Sequence, residues 1–152
     1  MSIDFNSGLE VHGTFEQRIY KMVDGELTLV EEYCDPNLVV NLGKGKITRL
    51  LANDGVGNYV SSIAVGTSLT TPTVADTVIT DSFIKSLTGY LFPSATSVRF
   101  EWTLELTEAN GKAISEYGLI TQDGTLFSRK TRGTINKESD VKIDGSWTIT
   151  LV

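Results

Sequence analysis

A strict alternation of apolar and polar side chains runs through Val98-Arg99-Phe100-Glu101-Trp102-Thr103-Leu104-Glu105-Leu106-Thr107. Successive side chains of a β-strand point to opposite faces of its sheet, so this alternation predicts a strand with one buried and one solvated face. Residues 141–151 repeat the alternation, but Gly145 interrupts it. A glycine inside a strand often marks a bulge or the close approach of another group.

Three glycine-containing turn signals divide the chain. Asp24-Gly25, Asn110-Gly111 and Asp123-Gly124 each stand between runs of β-forming residues. Tight hairpin turns need positive φ angles, which glycine adopts at little cost, so each signal predicts a β-hairpin. The first signal places an N-terminal hairpin over residues 9–34. The other two predict that the strands on either side of each signal pair with one another.

One segment has the periodicity of a helix. Asp35-Pro36-Asn37 breaks the strand pattern, and after Gly43 the apolar residues Ile47, Leu50 and Leu51 fall at i, i+3 and i+4. That spacing puts their side chains on one face of a helix. We therefore expect one short α-helix over about residues 43–53.

Together these patterns predict a mainly β fold in a single domain, residues 1–152. Short strands, frequent turns and one helix are typical of an antiparallel β-sandwich or a partly closed barrel. We expect residues 1–8 to form a flexible or docking arm, residues 9–34 the hairpin, and residues 37–152 the β-sandwich core. The Thr- and Ser-rich residues 66–82 read as a surface loop.

Composition excludes several classes of function. The net charge of −6 repels phosphate backbones and anionic lipid, so we expect neither nucleic acid nor a membrane as a partner. One His and one Cys are too few for most metal cages, Cys-His dyads and disulfide frameworks. His12 reads as an ordinary strand residue. We predict no catalytic residues, no metal site and no cofactor.

Glu116 is the one carboxylate that the pattern singles out, because it interrupts an otherwise apolar strand over residues 114–119. A buried carboxylate must be paired, and Arg129 or Lys130 on the following strand can supply the cation. We interpret Glu116 and Arg129 as a candidate structural ion pair rather than as part of a catalytic site. Glu101 and Glu105 share the polar face of their strand and read as solvated side chains.

Several apolar residues have no clear core partner in the pattern. The irregular segment from Ser82 to Phe92 is rich in them, and it reads equally well as a buried strand or as a subunit contact. The candidate interface residues are Ile3, Phe5, Ile84, Leu87, Tyr90, Leu91 and Phe92.

The first residues lack the basic and apolar regions of a secretory signal. We therefore expect synthesis in a cytoplasm without secretion by a signal peptide.

Three blocks of sequence occur in a distinctive order: residues 37–43, residues 63–67, and residues 114–120 followed by 123–129. The most specific are Glu116-Tyr117-Gly118-Leu119 and Asp123-Gly124-Thr125-Leu126, followed by Lys137 and a closing strand with Trp147. In this order the chain resembles small β-rich virion proteins of tailed bacteriophages, including tail-fibre and tail-collar proteins.

The resemblance implies assembly and attachment in a virion, with other virion proteins as partners, a homo-oligomeric state, and no catalytic residues. Tail-fibre members continue into a long shaft, whereas this sequence stops at Val152, so we expect a compact tail, baseplate, collar or fibre-base module. One alternative is a decoration protein of the phage head. Another is a carbohydrate-binding β-sandwich that binds a host surface glycan through tyrosines such as Tyr59, Tyr90 and Tyr117.

Overall fold

The computed structural model describes residues 8–152, which form nine strands and one helix. In chain order the elements are β1 (Val11–Val23), β2 (Glu26–Val39), α1 (Asn41–Ala52), β3 (Val60–Gly66), β4 (Phe83–Ser86), β5 (Gly89–Ser94), β6 (Ser97–Leu104), β7 (Lys112–Thr121), β8 (Leu126–Lys137) and β9 (Val141–Leu151). The predicted single helix is present and begins slightly earlier than expected. The expected arm over residues 1–8, apart from Gly8, lies outside the described residues, and so do its candidate interface residues Ile3 and Phe5.

All nine strands belong to one antiparallel sheet in the order β4-β3-β7-β8-β2-β1-β9-β6-β5. The sheet curls into a half-barrel, so the prediction of a mainly β, partly closed barrel is confirmed. We call β2, β1, β9, β6 and β5 the first half, and β4, β3, β7 and β8 the second half. The halves meet at the pairs Leu38–Arg129 and Val39–Ser128 of β2 and β8.

The core fills the space between the two halves. Phe15, Trp102 and Trp147 come from the first half, Tyr117 comes from the second, and all four side chains are buried. The Phe15 ring centroid lies 4.8 Å from that of Tyr117 and 5.1 Å from that of Trp147. These are ordinary distances for favourable aromatic contacts. The cluster therefore packs the two halves against each other.

The N-terminal hairpin turns at Asp24-Gly25 as predicted, with positive φ at both residues. Its first strand, β1, also pairs with β9 from Val11 to Lys21, so the hairpin is built into the sheet. The expected break at Asp35-Pro36-Asn37 is wrong, because β2 continues through it to Val39. Pro36 lacks an N–H group, but β8 begins to pair with β2 only at Leu38, and a proline is tolerated where no ladder bond is needed.

The Asn110-Gly111 hairpin prediction is also wrong. β6 pairs with β5 and β9, whereas β7 pairs with β3 and β8, so this turn carries the chain from the first half to the second. The turn does need positive φ, at Ala109 and Gly111. The glycine therefore indicates a backbone turn with positive φ, but it does not indicate which strands pair with one another. Asp123-Gly124 does close a hairpin, between β7 and β8.

Gly145 lies opposite Trp102 across the β6–β9 pair. A Cβ atom at position 145 would lie 2.0 Å from Trp102 Cε2, well inside van der Waals contact. The predicted close approach is therefore present, and the missing side chain makes room for the indole. Leu106, in contrast, lies beyond the end of β6 at Leu104.

Helix α1 packs on the second half of the sheet. Gly43 is its buried residue, and a Cβ there would lie 2.1 Å from the Phe127 carbonyl oxygen. The helix ends where Asn53 adopts a left-handed conformation with φ 49° and its amide donates to the Leu50 carbonyl. Within residues 8–152, no helix combines the length and apolar content needed to cross a bilayer.

Replacing Trp102 with alanine tests the packing of the core. Trp102 is buried and touches the aromatic cluster, so Trp102→Ala should lower the free energy of unfolding by about 3–5 kcal/mol. Urea unfolding followed by circular dichroism measures the change. Val56→Ala is the control, since Val56 is 90% exposed and its loss should change little. Equal stability of the two variants would contradict the assigned core.

Candidate functional site

Glu116 and Arg129 lie on the neighbouring strands β7 and β8. Glu116 Oε2 is 2.8 Å from Arg129 Nε, and the two side chains are only 1% and 3% exposed. The structure thus brings together the two residues that we selected as an ion pair. Lys130, the other candidate cation, points to a different place, where it contacts Asp35 and the Pro36 carbonyl oxygen.

The Glu116 carboxylate also binds the loop over residues 67–82. Its Oε1 atom accepts hydrogen bonds from the backbone amides of Ser68, at 3.2 Å, and Thr80, at 2.9 Å. Gly66 makes this approach possible, because a Cβ there would lie 2.6 Å from the same oxygen. One buried carboxylate therefore fastens the loop near its beginning and near its end.

Arg129 extends this network towards the surface. Its Nη1 donates to Asp76 Oδ2 at 2.8 Å, and its Nη2 donates to the hydroxyls of Ser68 and Thr70. Asp76 in turn accepts hydrogen bonds from the amide and hydroxyl of Thr73. The guanidinium and both carboxylates are thus satisfied within the chain, which is the arrangement expected of a structural clamp. We call Glu116, Arg129 and Asp76 the loop clamp.

The electrostatics of Asp76 follow from these contacts. Partial burial raises the pKa of Asp76, but the hydrogen bonds from Thr73 and Arg129 and the charge of Arg129 outweigh it. The pKa of Asp76 therefore lies below its ordinary value of 3.8. A cavity of about 270 Å³ beside the clamp is lined by loop side chains together with Glu116 and Arg129.

A second set of cations joins β2 to β8 where the backbone ladder stops. Lys130 pairs with Asp35, and Arg132 pairs with Glu31. The Arg132 guanidinium also lies 4.2 Å from the centroid of the Tyr33 ring, a favourable cation–π distance. Where β2 and β8 diverge and no longer form backbone hydrogen bonds, these side-chain contacts join the two strands instead.

Lys137 is a buried charge that sequence reasoning missed. Its side chain has no exposed surface, and Nζ donates to Asn110 Oδ1 at 2.8 Å and to the Glu138 carbonyl at 3.1 Å. Burial lowers the pKa of Lys137. The contact with Asn110 anchors the turn that leads from β6 into β7. The only sequence signal was the place of Lys137 among the motifs of the resemblance.

The structure places four of the candidate interface residues on two edge strands. β4 ends the second half and β5 ends the first half, so residues 82–94 contribute an edge strand to each half of the sheet. Leu87, between the strands, is half-buried and packs against the core. The exposed members are Ile84, Tyr90, Leu91 and Phe92.

Tyr90 and Phe92 form the most prominent apolar feature of β5. They are 68% and 70% exposed, and their ring centroids lie 5.7 Å apart in an edge-to-face arrangement. Tyr90 lies opposite Phe100, which lies opposite Trp147. The two rings therefore continue the inner, apolar face of the first half beyond the part that the second half covers. We call Tyr90, Leu91 and Phe92 the aromatic edge.

The other face of the first half carries a polar groove of about 700 Å³. Its charged lining residues have both signs, namely Glu16, Arg18, Glu32, Arg99, Glu101, Lys142 and Asp144. The alternation had predicted a solvated face here, and Glu101 does lie on it. The groove is lined mainly by side chains from four strands, β1, β2, β6 and β9, and no local sequence pattern shows that these side chains meet.

The tyrosines named for glycan binding do not form one surface. Tyr117 is fully buried in the aromatic cluster, whereas Tyr59 and Tyr90 are exposed. Burial raises the pKa of Tyr117, as expected for a hydroxyl removed from water. A glycan surface built from all three tyrosines is therefore wrong.

Metal-ligand geometry and similarity to known proteins add no further site. Among residues 8–152, no three His, Cys, Asp or Glu side chains converge as they would around a metal ion. No protein-family model, curated protein or solved structure matches this chain.

Removing the charge of Glu116 tests the loop clamp. Glu116→Gln leaves a buried guanidinium with a weaker partner, so we expect a loss of about 3–5 kcal/mol in the free energy of unfolding. The amides of Ser68 and Thr80 should also exchange with solvent faster in hydrogen-exchange measurements. Asp54→Asn, which breaks an exposed pair with Arg49, is the control and should cost about 0–1 kcal/mol. Unchanged exchange at Ser68 and Thr80 would show that the clamp does not hold the loop.

The lowered pKa of Asp76 predicts part of the acid sensitivity. A depressed folded-state pKa gives stability that is present above the ordinary pKa of 3.8 and is lost as the pH falls through the lower, folded-state pKa. Asp76→Asn removes this contribution, so its stability should be lower than wild type near neutral pH and should fall less steeply in acid. Urea midpoints measured at about pH 7 and about pH 3 check the slope. Parallel pH profiles for the two proteins would contradict the assignment.

Proposed function

We propose that this chain is a non-enzymatic structural protein of a tailed-phage particle, a tail, baseplate, collar or fibre-base module that acts through protein–protein contacts, both between its own copies and with other virion proteins. The observation that carries the proposal is the aromatic edge. Tyr90 and Phe92 expose most of their surface on a strand whose outer side has no partner within the described chain.

Protein interfaces are rich in tyrosine and phenylalanine and poor in charge at their centres. The aromatic edge matches this composition, because residues 86–98 contain no charged side chain. An exposed apolar edge strand also promotes unwanted association unless a partner covers it. These properties favour an assembly role, and the order of sequence motifs supports a virion as the place of assembly.

The rigidity of the support also favours a contact function. β5 is paired with β6, and β6 is paired with β9, which carries the buried Trp147. The aromatic edge is therefore held in place by strands that are anchored in the core. A pre-formed surface loses little conformational freedom on binding, which benefits repeated assembly of many copies.

Head decoration is the nearest alternative, and it differs from the proposal only in the position on the particle. Immunogold labelling of intact particles with an antibody against this chain distinguishes the two. Gold at the tail, baseplate or neck supports the proposal, whereas gold spread over the capsid supports decoration.

The first test is the protein content of purified particles. Gradient-purified particles of the phage that encodes this chain should contain it in stoichiometric amounts by mass spectrometry. The double variant Tyr90→Ser, Phe92→Ser should be incorporated at least tenfold less, because it removes the exposed aromatic surface. Tyr59→Ser, which removes an exposed tyrosine elsewhere, is the matched control and should be incorporated normally. Particles that lack the native chain would overturn the proposal.

A further inference from the structure

We infer that the aromatic edge of one chain pairs with the aromatic edge of a second copy, as antiparallel strands related by a two-fold axis at Leu91. This inference deepens the proposed function, since it rests on the aromatic edge being a contact surface and names the partner of that surface.

The backbone of β5 has free groups in a definite pattern. The Leu151 amide of β9 donates to the carbonyl of Thr96, which directly precedes β6. Alternate residues of β6, starting with Val98, therefore direct their backbone groups to β9. The residues between them face β5, as shown by the bond from the Thr88 amide to the Glu101 carbonyl. Leu91 lies opposite Arg99, one of the residues that face β5. The N–H and C=O groups of the neighbouring Tyr90 therefore point away from β6. Phe92, which has no partner on β6, begins the irregular stretch between Leu91 and Ser94.

A second copy of β5 satisfies these groups. With Leu91 opposite Leu91 of the second copy, Tyr90 lies opposite Phe92 of that copy, and Phe92 lies opposite its Tyr90. Each such pair exchanges two backbone hydrogen bonds. The missing N–H of Pro93 is not needed in this register, which explains how a proline fits on a strand that pairs on both sides.

The side chains fit the same register. Tyr90 and Phe92 lie on one face, with their rings already in contact. Pairing about Leu91 sets Tyr90 of each copy beside Phe92 of the other, so four rings join in one cluster. Cross-strand aromatic pairs are among the stabilising contacts of antiparallel sheets. The cluster continues the row from Trp147 through Phe100 to Tyr90, and so extends the core across the two-fold axis.

The distribution of charge favours β5 over the other strand edges as the site of pairing between two copies. Copies with a net charge of −6 repel one another, and the repulsion is smallest where the meeting surfaces are uncharged. Residues 86–98 carry no charge. The edge strand β4 is only four residues long, and its Lys85 donates to the Thr103 carbonyl of β6 and pairs with Glu108. The outer side of β2 carries Glu26, Glu31 and Glu32. Charged side chains of this kind protect an edge from self-pairing, and β5 lacks them.

A cysteine cross-link tests the register. The chain Leu91→Cys in a Cys34→Ser background places two thiols at a non-hydrogen-bonded pair, where Cα atoms are about 4.5 Å apart and a disulfide can form. Mild oxidation should give a disulfide-linked dimer of twice 16.6 kDa on non-reducing gels. Ile84→Cys in the same background is the control, since Ile84 is exposed on the other edge strand and should not cross-link. Equal cross-linking of the two variants would overturn the inference.

Native mass supplies an independent measurement. Light scattering over a wide range of concentrations should show the unmodified chain reaching the mass of a dimer. Phe92→Lys should halve that mass while its circular-dichroism spectrum stays that of the folded, unmodified chain. An unmodified chain that is monomeric throughout, or a Phe92→Lys chain that stays dimeric, would overturn the inference.

The two proposals fail separately. A monomeric chain that is nevertheless present in purified particles overturns the two-fold pairing and leaves the virion role standing. A dimeric chain that is absent from particles overturns the virion role and leaves the pairing standing.

Discussion

The ion pair between Arg129 and Glu116 lies at the point where three parts of the structure meet. The backbone of Arg129 pairs with Leu38 and so helps to join the two halves of the sheet. Its guanidinium binds Glu116 on β7 and Asp76 in the loop over residues 67–82. Removing either charge would leave the other buried with weaker partners, which is more costly than losing an exposed pair. The junction of the halves and the course of the loop therefore depend on the same side chain.

Much of the local structure could be predicted, because buried positions of a strand or helix recur as apolar residues at a regular spacing in the sequence. The alternation around Trp102 predicted β6, and the apolar surroundings of Glu116 predicted that it needs a cation. Gly145 predicted a close approach, and the structure shows that the neighbour is Trp102. Each of these inferences concerns the immediate environment of one residue, and the neighbouring residues in the sequence partly determine that environment.

The remaining features depend on groups far apart in the chain. Asn110-Gly111 signalled a turn correctly, but the pairing of β6 and β7 with other strands is decided by the whole sheet. Pro36 lies within a strand because β8 diverges from β2 there. The groove on the polar face of the first half is lined by side chains from β1, β2, β6 and β9, which lie far apart in the sequence. Lys137 is buried against the turn between β6 and β7, where its ammonium donates to Asn110, a residue much earlier in the sequence. None of these arrangements has a local periodic signal.

The loop clamp has a consequence for how this protein can change. Glu116 holds Ser68 and Thr80 through their backbone amides, which every residue except proline can provide. Between these two points, Leu69 and Val78 are exposed and make no contribution to the clamp. The loop can therefore accumulate substitutions at such positions without loss of its path over the sheet. A segment that is firmly placed yet free to vary in sequence is well suited to diverge between related proteins while the scaffold beneath it stays the same.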